Sequence, residues 1–181
     1  MPWLSDGKFE LRVAESITEL EHYLERRQED KYSSRMTAGF CWPWSDPVDD
    51  TLVNDVVVGD WTRPWNLKPE KRVKGIPSAS LWASDPGGFG QVGCIHSAQG
   101  FEYDFNGVIF GPDLVWRNGQ WLDQSSESQD GIVKRAENFG ELARHTYRVL
   151  LTRGLIGCIL YSTDSETNDF LARMVKSPGG S

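Results

Sequence analysis

The chain switches hydrophobic period repeatedly, and the switches set out its elements. Phe9 to Ala14 (FELRVA) alternates apolar and polar residues, the period of a half-buried strand. Ser16-Ile17-Thr18-Glu19 then reads as a capping box, in which the hydroxyl accepts from first-turn amides while Glu19 reaches back. A helix to about Glu29 should follow, with Ile17, Leu20, Tyr23 and Leu24 on one face and Glu and Arg on the other. Arg35 to Trp44 begins as a strand and stops at Cys-Trp-Pro-Trp, since Pro43 cannot donate to a ladder.

Residues 45–90 lose the pattern. Asp-Pro, Arg-Pro, Lys-Pro, Ile-Pro and Asp-Pro-Gly-Gly punctuate them and leave only Asp55–Gly59 (DVVVG) as a convincing strand. Trp61, Trp65 and Trp82 nonetheless require that this stretch pack against something, so it reads as an insertion and not a linker. Strand patterns return at Val92, Cys94 and Ile95 and again at Val108–Phe110, with a polar turn between them. Residues 115–130 predict a small hairpin around Asn118-Gly119. From Ile132 to Thr152 the apolar spacing is helical, interrupted near Gly140, and Gly154 reads as its C-terminal cap. Ile156–Tyr161 is a buried strand, Thr163–Glu166 a second capping box, and a last helix runs to about Met174. Residues 176–181 (KSPGGS) read as a disordered tail. Short apolar strands alternating with helices imply an α/β fold with a mostly parallel sheet and helices on both faces.

Composition narrows the function. At 181 residues with 8 Trp and 8 Phe, the chain suits one domain with its own core. No stretch is long enough to span a bilayer, and MPWLSDGKFE lacks the basic and apolar regions of a signal peptide. Cys41, Cys94 and Cys158 each sit in an apolar run without disulfide spacing, which suits a reduced, cytoplasmic setting. A Cys₃His site with His96 would lack the local C-x-x-C spacing of structural zinc, so no metal site is expected. A nucleophilic hydrolase fares no better, since G-x-S-x-G is absent. The net charge of −7, from 26 acids and 19 bases, argues against unaided grip on nucleic acid and for weak DNA or RNA contact shared with a partner. It also argues that the tryptophans serve core or interface and not a stacking platform.

The chemistry lies in two ordered segments. Residues 92–110 read VGCIHSAQGFEYDFNGVIF and residues 147–154 read YRVLLTRG. Together they resemble motifs V and VI of superfamily 1 helicases, His-x-x-Gln/Lys-Gly-x-Glu-x-Asp followed by Leu-Thr-Arg. The matching positions are His96, Gln99, Gly100, Glu102 and Asp104, then Leu151, Thr152 and Arg153. With GFCWPWS at 39–45, GVIFGPDL at 107–114 and HTYRVLLTRG at 145–154, the chain looks more specifically like the Schlafen-type DNA/RNA helicase domain family, roughly from Lys31 to Asp164. The likeness is to the second half of that domain. The first half should carry a G-x-x-x-x-G-K-[ST] loop and an acidic magnesium site, and neither is among these residues.

The resemblance implies a RecA-like second motor domain over residues 1–175, with 45–90 as a Trp-rich insertion. In such motors ATP lies between two RecA-like domains, and the second supplies an arginine finger to the γ-phosphate. Arg153 matches the finger. An Arg projecting from a helix end before Gly suits that role, and it equally suits ordinary pairing with helix-end carbonyls. Glu102 would meet the nucleotide sugar, Gln99 and Gly100 form the coupling loop, and Arg35 and Arg148 are secondary candidates for phosphate. His96 and Ser97 would touch the nucleic-acid backbone. Asp104 reads as a residue that fixes the turn. The implied function is half of an ATP-driven helicase or translocase, with no ATPase activity alone and with ATP and Mg²⁺ engaged only when a P-loop domain or partner subunit completes the site. The alternative is an inactive, stand-alone protein-interaction module. Gln99–Glu102 and Arg153 should converge on one sheet edge. An apolar docking patch beside them should draw on Trp42, Trp44, Trp61 or Trp65, with self-association as another sign of it.

Overall fold

A computed structural model describes residues 7–175. Its elements run β1 (Glu10–Val13), α1 (Ile17–Glu29), β2 (Ser34–Ala38), β3 (Val56–Val58), β4 (Trp61–Arg63), β5 (Val92–Gly93), α2 (Ile95–Ala98), β6 (Tyr103–Phe110), β7 (Leu114–Arg117), β8 (Gln120–Asp123), α3 (Phe139–Leu151), β9 (Gly154–Ser162) and α4 (Ser165–Met174). Five strands form one parallel sheet in the order β1-β9-β6-β2-β5, and two small antiparallel hairpins, β3–β4 and β7–β8, lie outside it. The expected α/β architecture, a parallel sheet between helices, is the one observed. The tail read from 176–181 lies outside the described residues.

Alternation along the buried strands divides the core in two. Phe105 and Ile109 of β6, Met36 and Ala38 of β2 and Ile159 of β9 join Leu20 and Leu24 of α1. Val108, Phe110, Cys158 and Leu160 point the other way, to Tyr147 and Leu150 of α3 and Leu171 of α4. The polar residue of central β6, Asn106, is tolerated there because it is satisfied. Its amide donates to Leu150 O at 2.7 Å and to Thr37 Oγ1 at 3.1 Å, tying α3 to the middle of the sheet.

Local chemistry sets most boundaries. Ser16 Oγ caps α1 by accepting from Glu19 N (3.1 Å), and the Glu19 carboxylate accepts from Glu15 N (2.7 Å). The 118–119 turn has φ +51 at Asn118 and +82 at Gly119, as a tight hairpin requires. Boundaries differ from the sequence reading in several places: Ile95–Ala98 form the short helix α2 where a strand end and a polar turn were expected, and β6 begins at Tyr103. Helix α3 starts at Phe139, because residues 133–135 form a separate 3₁₀ turn whose spacing imitates an α-helix. The cap of α4 is Asp164, whose carboxylate accepts from Thr167 N at 2.8 Å. Gly154 is not a cap but the first residue of β9, where a Cβ would overlap the carbonyl of Gly157.

The insertion packs through its aromatic residues, as its composition required. Trp65 is buried and bridges the edge of β5 at Val92. The β3–β4 hairpin clamps onto α1 at buried Glu21, which accepts from Trp61 Nε1 (2.8 Å) and Arg63 Nε (2.7 Å). Trp82 is fully buried on the other side, against Tyr103. No helix of the described residues is long and apolar enough to cross a membrane.

Candidate functional site

The two motif-bearing segments meet at the edge where β6 and β9 begin. After α2 the backbone turns through Gly100 at φ +91, a value that favours glycine, and enters β6 at Tyr103. Helix α3 ends at Leu151 and passes through Thr152 and Arg153 into β9. Tyr103 N donates to Arg153 O (3.2 Å), and Arg153 Nη1 donates to Phe101 O (3.3 Å). Gln99, Gly100 and Glu102 are exposed around this junction. The expected convergence on one edge is therefore present, at the amino ends of the strands.

Arg153 is half-buried and engaged. Besides Phe101 O, its Nε donates to Val149 O (3.0 Å) and its Nη2 to Thr152 Oγ1 (3.3 Å). The bond to Val149 is what any arginine at a helix end makes. The bond to Phe101 is not, since it ties α3 to a turn about fifty residues earlier.

His96 stands in the first turn of α2, which leads from β5 toward β6, and with Gln99 it lines one cavity. There His96 Nε2 lies 3.1 Å from Asp130 Oδ2, and its ring meets Phe40 edge-on at 5.8 Å. Burial, the largest influence on Asp130, would raise its pKa. The amides of Val133 and Ile132, together with His96, outweigh it and hold the carboxyl below its ordinary value.

Three candidates do not join either group. Arg35 is buried, and its guanidinium donates to the carbonyls of Trp82 (2.8 Å), Asp85 (2.6 Å) and Ser34 (2.6 Å). It anchors the insertion to β2 and cannot reach a phosphate without unfolding it. Ser97 is buried, with its hydroxyl 3.9 Å from Cys94 Sγ, so it faces inward and not toward a strand. Arg148 is exposed on the flank of α3 that faces Phe110, Trp121 and Leu171, whereas Val149 faces the flank shared with Gln99. Asp104 does fix backbone, but across strands, since its carboxylate accepts from Ser33 N (2.7 Å) and Ser33 Oγ (2.8 Å).

Among the described residues no cluster of three His, Cys, Asp or Glu is arranged to hold a metal ion. Cys94 and Cys158 lie in core clusters on opposite faces of the sheet, so the three cysteines cannot share one ion. Burial pushes the thiols of Cys94 and Cys158 up and leaves them unreactive.

Sequence reasoning missed a bulge. Tyr103 pairs with Gly154 and Phe105 with Gly157, so Leu155 and Ile156 stand where β6 has only Asp104. The extra residue turns both side chains out, leaving Leu155 59% and Ile156 36% exposed beside Arg153. The exposed apolar residues beside Arg153 are these two and not the tryptophans expected there. Trp42, Trp44 and Trp65 instead cluster around Phe40, beyond the carboxyl end of β2, and Trp61 of β4 packs on Glu21 of α1. The signal available was the run Gly-Leu-Ile-Gly, whose glycines bracket the bulge.

A five-stranded parallel sheet flanked by helices makes this an α/β domain, an architecture consistent with a RecA-like fold. The chain belongs to the Schlafen group 3 DNA/RNA helicase domain family, whose model matches residues 1–164. No curated protein and no solved structure matches it.

Proposed function

We propose that this chain acts as the second motor domain of a superfamily 1-like helicase or translocase and completes an ATP site whose P-loop half is another domain or subunit. The observation that supports this most is the junction of Arg153 with the Gln99–Glu102 turn at one sheet edge. Arg153 would serve the γ-phosphate and Glu102 the ribose, while Gln99 and Gly100 carry the state of the nucleotide toward His96 and the strand. The chain offers no phosphate loop, so Mg²⁺ and the β-phosphate fall to the partner. When bound there, ATP supplies the phosphoryl group whose developing charge the guanidinium meets.

Three of the five guanidinium N–H groups of Arg153 are engaged, at Val149 O, Phe101 O and Thr152 Oγ1, which leaves one on Nη1 and one on Nη2 for a phosphate. That engagement also supports the second reading, an inactive interaction module in which Arg153 is only a helix-end residue.

Joining the chain to a P-loop half and replacing Arg153 by Lys separates the two. Lys keeps the charge but loses the planar fork, so turnover should fall by roughly 10³-fold or more with nucleotide affinity nearly intact. The unjoined chain should show no nucleic-acid-stimulated hydrolysis. Unchanged turnover in Arg153→Lys, or its unfolding, makes Arg153 structural and leaves the module reading.

A further inference from the structure

A cavity opens toward the carboxyl ends of the strands, and Gln99 and His96 form part of its wall. In the order β1-β9-β6-β2-β5, the chain leaves β2 toward β5 on one side and leaves β6 toward β9 on the other. Neighbouring strands whose onward connections diverge leave a crevice beyond their carboxyl ends, and open α/β sheets bind ligands in such crevices. Here the crevice lies between the segments 39–41 and 111–113, and a cavity of about 290 Å³ runs from it along α2 and α3.

A buried carboxylate is fixed at its inner end. Asp113 is buried and accepts from the Tyr147 hydroxyl, which in turn accepts from Gly111 N at 2.8 Å. The arrangement leaves no room for a side chain on β2's exit, since a Cβ on Gly39 would overlap the Tyr147 hydroxyl. Nothing in the motor chemistry above uses this group. Asp130, already held by His96 and the amides of Ile132 and Val133, adds a second carboxylate to the lining, Gln99 adds an amide, Phe40 adds a ring edge, and Leu142 and Val149 supply apolar walls.

We infer that this crevice binds a nucleobase bearing an exocyclic amino group, as adenine, cytosine and guanine do. The apolar walls and ring edge suit flat faces, and the size suits a single base. The two carboxylates accept from an amino group and oppose the carbonyl that thymine or uracil presents in its place. They also exclude phosphate from the interior, so the sugar and phosphate remain at the mouth, near His145. Burial raises the Asp113 pKa, as is usual for a carboxyl held without a cation.

The base can come from a free nucleoside or from a single strand. In the second case the inference rests on the motor reading; in the first it stands apart. Equilibrium dialysis of the chain alone with adenosine, cytidine and thymidine, and with short dA, dC and dT oligonucleotides, distinguishes the sources. Amino-bearing bases should bind about tenfold or more tighter than thymine, the scale of one good base contact. Asp113→Asn should shrink that preference, and Thr146→Trp, which fills the cavity from its rim, should remove base binding without lowering the melting temperature. Binding of oligonucleotides but not nucleosides assigns the site to a strand. Equal affinity for thymine, retention of base preference in Thr146→Trp, or no binding of any probe overturns the inference. None of these outcomes bears on hydrolysis by the joined motor.

Discussion

Single residues decide how tightly the candidate edge is built. Gly154 is the clearest, because α3 must give way to β9 within three residues and a Cβ there would overlap the Gly157 carbonyl and crowd Asn106 N at 3.1 Å. The obstacle is backbone, so it cannot swing aside. Gly154→Ala should destabilise the chain by about 1–3 kcal/mol, the usual cost of overpacking. For a domain of this size that lowers the melting temperature by about 2–4 °C per kcal/mol, readable by circular dichroism. A variant as stable as the parent would show that β9 enters the sheet by another path. Gly followed by apolar residues carries no mark that separates this role from a helix cap, which is why sequence placed the residue but misread its work. Arg35 was illegible for the same kind of reason: an arginine in a strand says nothing of whether a loop will fold over it.

Among the elements, the hairpin β7–β8 and helix α4 form one unit. Trp116 stacks on Phe170 at 3.8 Å, Trp116 N donates to Thr167 Oγ1 at 2.8 Å, and Arg117 forks onto Asp164. The Arg117 guanidinium, with smaller help from Thr167, holds the Asp164 carboxyl far below its ordinary value. A depressed carboxyl stabilises the fold fully above its unfolded pKa, about 3.9, and loses that contribution as pH falls below it. Arg117 is 33% exposed, so solvent screens the pair and its contribution is small. Urea midpoints should therefore drop more steeply between pH 5 and pH 3 for the parent than for Asp164→Asn, and parallel curves would deny the pair its role. The capping signals made α1 and α4 legible to within a residue or two. Only the second half of β6 was legible, because Asp104 and Asn106 look like turn residues until Ser33, Thr37 and Leu150 supply their partners across 44 to 71 residues of sequence. The β3–β4 hairpin was half legible, since Trp61–Arg63 is three residues long and runs straight into Pro64.

At the scale of the molecule, the two ends of the sheet differ in make. The amino ends carry Arg153, the Gln99–Glu102 turn and the exposed pair Leu155 and Ile156, and the carboxyl ends carry the crevice around Asp113. An apolar pair beside a charged edge is where a partner domain would settle. Leu155→Asp should weaken the chain's affinity for a P-loop half about fivefold or more, as losing one worthwhile interface contact does, with the melting temperature unchanged. Unaltered affinity in a pull-down titration would place the dock elsewhere. The motifs were visible in sequence, but the cavity that His96 and Gln99 share with Asp113 and Val149 was not, because Asp113 and Val149 are far from them in the chain. The pin at Asn106 gives this layout a mechanical meaning. A helix whose last turn is nailed to the central strand can neither slide nor roll without stranding a buried amide. On the proposed motor reading, the arginine that follows it is the tip of a stiff shank, and its aim is set by how the whole body is mounted. Tuning such a machine falls to the mounting surface, and evolution could change its stroke by altering the face of the other half while leaving every residue of this one in place.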